Sequence, residues 1–214
     1  MTYNGPYWLN IIIIIFKKKL CPQTITIFVP QTHDIYIYSL DMKLINRILN
    51  GRIDDIVIDD NNNIIIVKCY MICIYDIKGV LKKSWFLFGY AETSGDPRRR
   101  VTYNDSEIFV LENHIGRVYV FSYEGELIRT WGFSGKFKPG YFVNPLSITI
   151  NQNIVFISDG YSDSILTFTC CGKFISEYKD VGLGLATNII IADDYVYSSN
   201  YEKRKISKFK LIYN

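Results

Sequence analysis

The chain has 214 residues, 49% of them hydrophobic and 15% aromatic, which is enough apolar side chain for a sizeable core and excludes a disordered segment. Its net charge of +3 is too small to imply a nucleic-acid partner by itself. Five cysteines, an odd number without a Cys-x-x-Cys, argue against a disulfide or zinc framework, so free thiols are expected.

The first element is the apolar run Trp8-Leu9-Asn10-Ile11-Ile12-Ile13-Ile14-Ile15-Phe16. It is too short for a bilayer span, which needs about 18–20 residues. Its basic cluster, Lys17-Lys18-Lys19, follows the apolar stretch, whereas a secretory signal carries its charge in front. The run therefore predicts a buried strand. The expected location is the cytoplasm, with no membrane partner.

From here a strand-rich unit recurs about every 45 residues. Its marker is a glycine after an aromatic-bearing strand: Ile74-Tyr75-Asp76-Ile77-Lys78-Gly79, Val120-Phe121-Ser122-Tyr123-Glu124-Gly125 and Thr167-Phe168-Thr169-Cys170-Cys171-Gly172. A period of about 40–50 residues with strand content is the signature of a β-propeller. The sequence thus predicts an all-β single domain over 1–214, a propeller of about five blades at 8–50, 51–92, 97–134, 142–180 and 184–214. Each blade has four antiparallel strands, A to D, joined by Asn-, Asp- and Gly-rich turns.

Strand A of each unit is nearly all apolar and is expected to be the most buried. Strand D alternates, with Leu127, Arg129 and Trp131 on one side, and is expected to be outermost. No segment sustains the i, i+3, i+4, i+7 apolar pattern of a helix. After strand C of the fifth unit only Leu211-Ile212-Tyr213-Asn214 remain. Either Met1–Trp8 supplies the missing strand D, or that blade stays three-stranded and leaves an edge open to another chain.

The fourth unit carries a family resemblance. Gly135-Lys136-Phe137-Lys138-Pro139-Gly140-Tyr141-Phe142-Val143-Asn144-Pro145 leads into strand A, Phe156-Ile157-Ser158-Asp159 ends strand B, and Ile165-Leu166-Thr167-Phe168 precedes Gly172. This resembles the NHL repeat: a Gly/Phe/Pro lead-in, a strand ending in Asp, a loop with Asn or Arg, then a strand ending in Phe before Gly. Unit three matches with Glu112 at the Asp position and Arg117 at the Arg position; unit five has Asn200 and Lys205. The resemblance implies a carboxylate and a cation close together across the B–C loop. In unit four Ser164 replaces the cation. The Trp-Asp and Gly-His marks of WD repeats are missing.

Propellers include enzymes such as lactonases and the lyase of peptide amidation, which use His and carboxylates around a metal. This chain has two histidines, His33 and His114, both in expected B–C loops and neither beside a ligand at metal spacing. Asp59-Asp60-Asn61-Asn62-Asn63 offers hard oxygens but lacks the spacing of a calcium loop and reads as a hairpin turn. No Gly-x-Ser-x-Gly, phosphate loop or His-Glu-x-x-His occurs. The expectation is a protein that is not an enzyme, with no cofactor, no metal and no small-molecule substrate.

The remaining signal is charge beside aromatics. The B–C and D–A loops share one side of each blade, and there the sequence places Arg52, Arg98, Arg99, Arg100, Arg117, Lys136, Lys138, Lys203, Arg204 and Lys205, with Tyr141, Phe142, Tyr161 and Tyr201 among them. Acidic residues share these loops. The expected function is a binding scaffold for a protein partner. The alternative is an RNA-binding propeller centred on Arg98–Arg100, in which the aromatics stack bases; NHL propellers of the tripartite-motif kind imply both. A lactonase- or lyase-like enzyme is the third reading. The Ile, Asn, Lys and Tyr bias suggests an AT-rich source, a large virus or a protist.

Overall fold

The computed structural model describes residues 12–14, 24–29, 34–39, 41–49, 52–68, 70–87, 99–132, 135, 138, 140–179, 186–192, 194–200 and 205–210. Among them are nineteen strands and no helix. The first sheet is β1 (Ile12–Ile14), β2 (Thr24–Val29), β3 (Asp34–Ser39) and β4 (Leu44–Leu49). The second is β5 (Asp55–Ile58), β6 (Ile64–Lys68), β7 (Met71–Tyr75) and β8 (Leu81–Phe86). The third is β9 (Arg99–Asn104), β10 (Glu107–Glu112), β11 (Arg117–Ser122) and β12 (Leu127–Trp131). The fourth is β13 (Pro145–Asn151), β14 (Ile154–Asp159), β15 (Ser164–Thr169) and β16 (Phe174–Tyr178). The fifth is β17 (Ala186–Ala192), β18 (Tyr195–Asn200) and β19 (Lys205–Lys210). Every sheet is an antiparallel meander in chain order, four of four strands and one of three. The apolar run at the start does contribute a strand, β1. The closing of the fifth sheet by Met1–Trp8 lies outside the described residues, as does His33.

The chain divides into two compact units, 1–86 and 87–214. In the first, Ile35, Ile37 and Ile48 of the first sheet pack on Ile53, Ile56, Ile64 and Ile66 of the second. In the second, Phe109, Leu111, Val118, Val120 and Trp131 of the third sheet pack on Phe142, Ile148, Val155, Ile157, Leu166 and Phe168. The fourth sheet's other face meets the fifth through Phe156, Ile165, Ile189 and Val196. Within each unit, successive sheets thus stack face to face, and apolar residues on both faces of a strand explain the near-continuous Ile and Val runs.

The expected burial gradient needs one correction. Strands B and C are the most buried: β6 and β10 are buried at every position but one, whereas β13 is only partly covered. Strand A borders its sheet, so one edge lies unpaired there, while B and C have a neighbouring strand on each side. Strand D is the most exposed, as expected: β8 alternates between exposed and half-buried residues.

The repeat-marking glycine has two physical reasons. Each C–D turn closes with the same pair of backbone bonds, as between Thr169 and Lys173 and from Gly172 N–H to Thr169 O. The pattern puts its third residue in the left-handed region, φ +79° at Gly79, +95° at Gly125 and +82° at Gly172. Beneath two of these turns, at Gly79 and Gly172, packs the outer strand of the preceding sheet. A Cβ on Gly79 would lie 3.2 Å from Ile48 Cγ1 of β4, and one on Gly172 only 2.3 Å from Trp131 Cγ of β12. In the first sheet Met42 occupies this position, at φ +62° and exposed.

Candidate functional site

The side on which the fourth sheet's D–A and B–C loops meet is organised by one carboxylate. Asp159 ends β14 and is fully buried. Its Oδ2 accepts the N–H groups of Val143 at 2.6 Å and Asn144 at 3.0 Å. Its Oδ1 accepts those of Tyr161 at 3.1 Å and Ser162 at 3.2 Å. A further bond runs from Gly160 N–H to Asn144 O, 3.0 Å. The lead-in to β13 and the loop after β14 are therefore held together as one piece. The cation implied by the repeat is replaced here by four backbone donors, and Ser164 at its position shares a 2.8 Å hydroxyl bond with Ser162. A carboxylate accepting several N–H groups is a strong, directional clamp.

This piece carries the aromatic residues. Tyr161 projects from the clamped loop with 70% of its surface exposed. On the other strand of the clamp, Tyr141 N–H donates to Lys138 O at 3.1 Å, and Lys138 Nζ lies 5.6 Å from the Tyr141 ring centroid. That distance places an ammonium over an aromatic face. Such a surface offers flat apolar area and a positive charge on a rigid support.

Two expected surface residues are withdrawn from it, which corrects the sequence reading. Phe142 is fully buried, set edge-to-face against Phe168 at 5.5 Å; it nails the lead-in to the core. Arg99 is also fully buried, its Nη2 3.7 Å from Glu112 Oε1. The register explains this: Glu112 lies opposite Arg99 on β9 as well as opposite Arg117 on β11. Alternation along β9 turns Arg99 into the sheet packing, where a carboxylate meets it. Glu112 thus finds a cation on strand A, although the repeat pattern placed one on strand C. Burial pushes the Tyr119 phenol up, with the Glu112 charge adding to it.

The other described candidates make local contacts or lie exposed. Arg100 is half-buried, and its Nε donates to Leu146 O at 3.0 Å, linking β9 to the next sheet's first strand. Arg117 is exposed, as is His114 in the turn before it. Arg52, in the first unit, lies 3.8 Å from Asp54. Arg98, Lys136, Tyr201, Lys203 and Arg204 lie outside the described residues, and Lys205 is described by its backbone alone. Asp59 is buried in its turn, Oδ1 accepting Asn61 and Asn63 N–H at 2.8 Å each, so it serves the hairpin. Among the described residues no three His, Cys, Asp or Glu stand close enough to share a metal. Sequence reasoning missed Tyr70, exposed in the second sheet's B–C loop, whose only signal is an aromatic residue beside a turn.

On the opposite side, Arg129 of β12 forks onto Glu107, with Nη1 at 2.8 Å, and its Nε donates to Cys170 O at 3.1 Å. The Glu107 bond raises the Arg129 pKa. Burial pushes the Cys170 thiol up, Glu107 adding to it, and burial does the same to Cys73. Cys171 is exposed. Only thiolate reacts. Iodoacetamide at pH 8 followed by peptide mapping is therefore expected to mark Cys171 first, Cys170 more slowly and Cys73 only after unfolding; equal rates at Cys73 and Cys171 would contradict these positions.

No family model and no curated protein matches the chain. Solved structures do. A protein of unknown function from Bacteroides caccae aligns with TM-score 0.69 at 13% identity, over 88% of this chain and 74% of that one. Virginiamycin B lyase from Staphylococcus aureus, an inactive variant with quinupristin, gives 0.65 at 17%, over 94% and 70%. A chain of the mitotic checkpoint complex gives 0.64 at 7%, over 90% and 60%. The fold is a β-propeller. At these identities the likeness shows the propeller fold and nothing finer. No helix of the described residues is long and apolar enough to cross a membrane.

Proposed function

We propose that this propeller is a non-catalytic scaffold of the NHL kind that binds a protein partner on the fourth blade's clamped loops. The carrying observation is Asp159: one buried carboxylate fixes both loops that bear Tyr161, Tyr141 and Lys138. A surface fixed before binding loses little conformational freedom on association, and Tyr is a favoured anchor at such surfaces. The Asp at the end of strand B and the buried lead-in Phe142 support the NHL reading. The propeller chain of the checkpoint complex supports an assembly role, since it is found in a complex. The lyase likeness pulls toward an enzyme, at an identity too low to carry residues across. The RNA reading relied on three consecutive arginines, and Arg99 is enclosed with Glu112.

The test is capture by the tagged chain from an extract treated with nuclease. A captured protein that is lost from a Tyr161→Ala, Lys138→Ala variant of unchanged Tm is the expected result. Capture that survives both substitutions, or that vanishes with nuclease, overturns the reading. So does turnover of quinupristin by the purified protein. Both side chains are exposed, so their removal should cost under about 0.5 kcal/mol of stability.

A further inference from the structure

The fifth sheet ends differently from the other four. Among the described residues no strand pairs with the outer edge of β19, whereas β4, β8, β12 and β16 close the other sheets as fourth strands. Such an edge presents a row of N–H and C=O groups on which an extended chain can build.

The two sides of β19 specify what chain would fit. Lys208 lies opposite Tyr197, with Nζ 3.9 Å from the Tyr195 ring centroid and 5.5 Å from that of Tyr197. Ile206, Lys208 and Lys210 therefore share the face that bears these tyrosines, and all three are exposed, Ile206 by 76%. On the other face Phe209 packs against Phe156, Ile165, Ile189 and Val196. The fourth strand of the neighbouring sheet shows what completes such a face: in β16, Tyr178 packs on the same cluster while Ile175 stays exposed. Charge sets the rest. The strands β17, β18 and β19 carry three lysines, Lys205, Lys208 and Lys210, and no Asp or Glu.

We infer that β19 is an acceptor edge for an extended acidic segment of a partner protein, taken up as a fourth strand. Its residues alternate between Asp or Glu beside Lys208 and Lys210 and apolar side chains that extend the Phe209 face. Edge lysines guard a sheet against pairing with its own kind, because like charges directly opposite destabilise a strand pair. The same lysines favour an acidic strand, which makes a second copy of this edge the wrong occupant. The surface is separate from the Tyr161 loops, and its test does not depend on them.

The probe is a fluorescent eight-residue peptide of alternating Val and Glu, titrated by anisotropy into the full chain. Saturable binding is expected, weakened by salt, and absent for the alternating Val and Lys peptide. Lys208→Glu with Lys210→Glu should weaken it roughly tenfold. Methylating alternate backbone nitrogens of the peptide should abolish binding in one register and spare it in the other, since only alternate N–H groups face the edge. That arm needs no variant of the protein and stands even if the lysine changes impair folding. Binding indifferent to both methylation registers overturns the proposal. So does no binding by the full chain, the result expected if another part of this chain already covers the edge.

Discussion

Asp159→Ala is expected to destabilise the second unit by about 3–5 kcal/mol. The carboxylate is fully buried and accepts four backbone N–H groups, at 2.6, 3.0, 3.1 and 3.2 Å. Truncation leaves all four donors without it, and each buried donor left unpaired costs about 1–3 kcal/mol. Water can reach the pair on the side of exposed Tyr161, so the total stays below four full penalties. Asp159→Asn separates charge from shape. Its amide keeps one acceptor oxygen, so two of the four donors stay satisfied, while the NH2 group faces the other two. About half the loss of the Ala variant is expected. Urea denaturation read by far-UV circular dichroism measures both, with exposed Lys173→Ala as a control within about 0.5 kcal/mol of the parent. A loss under about 1 kcal/mol for Asp159→Ala would show that the clamp does not hold these loops.

The same residue shows where the sequence is legible. Asp at the end of strand B was visible as a repeat position, and so was the cation expected opposite it. What it does instead depends on the lead-in, some fifteen residues earlier in the chain, arriving within hydrogen-bond reach. That is a tertiary fact with no periodic signature. Strand order and the C–D turns were legible because each is local: the period-two alternation and a φ > 0 glycine act within one hairpin. Arg99 and Phe142 were misplaced for a related reason. A charged residue at a strand start and an aromatic one in a Gly/Pro-rich loop both read as surface. Glu112 opposite Arg99, and the Phe168 ring beneath Phe142, become visible only once strands are in register and sheets are stacked. Met42 is the converse: a turn position that the hydrogen bonding shows to be equivalent to Gly79, where the sequence has lost its marker.

The marker itself supplies the second large effect, because the repeat glycines are not energetically alike. Gly172→Ala is expected to cost about 3–4 kcal/mol and Gly79→Ala about 1–2 kcal/mol. Both positions carry φ near +80°, where an L residue pays roughly 1–2 kcal/mol. The difference comes from what lies beneath. At Gly172 the new Cβ would stand 2.3 Å from Trp131 Cγ and 2.6 Å from its Cβ, in the packed core of the third and fourth sheets, and the indole must move. Overpacking of that kind adds about 1–3 kcal/mol. At Gly79 the nearest atoms are 3.2 Å away, the Asn46 amide and Ile48 Cγ1, and a shift of a few tenths of an ångström absorbs them. Met42→Gly should run the other way. It relieves a left-handed residue that is 58% exposed, offset by the roughly 0.5–1 kcal/mol of chain entropy that glycine loses, for a net change between zero and slight stabilisation. A double-mutant cycle decides whether the indole is the cause. In a Trp131→Ala background the Gly172→Ala penalty should shrink to the strain part alone, about that of Gly79→Ala. An unchanged penalty there would mean that the turn, and not the packing of one blade under the next, fixes the glycine of this repeat.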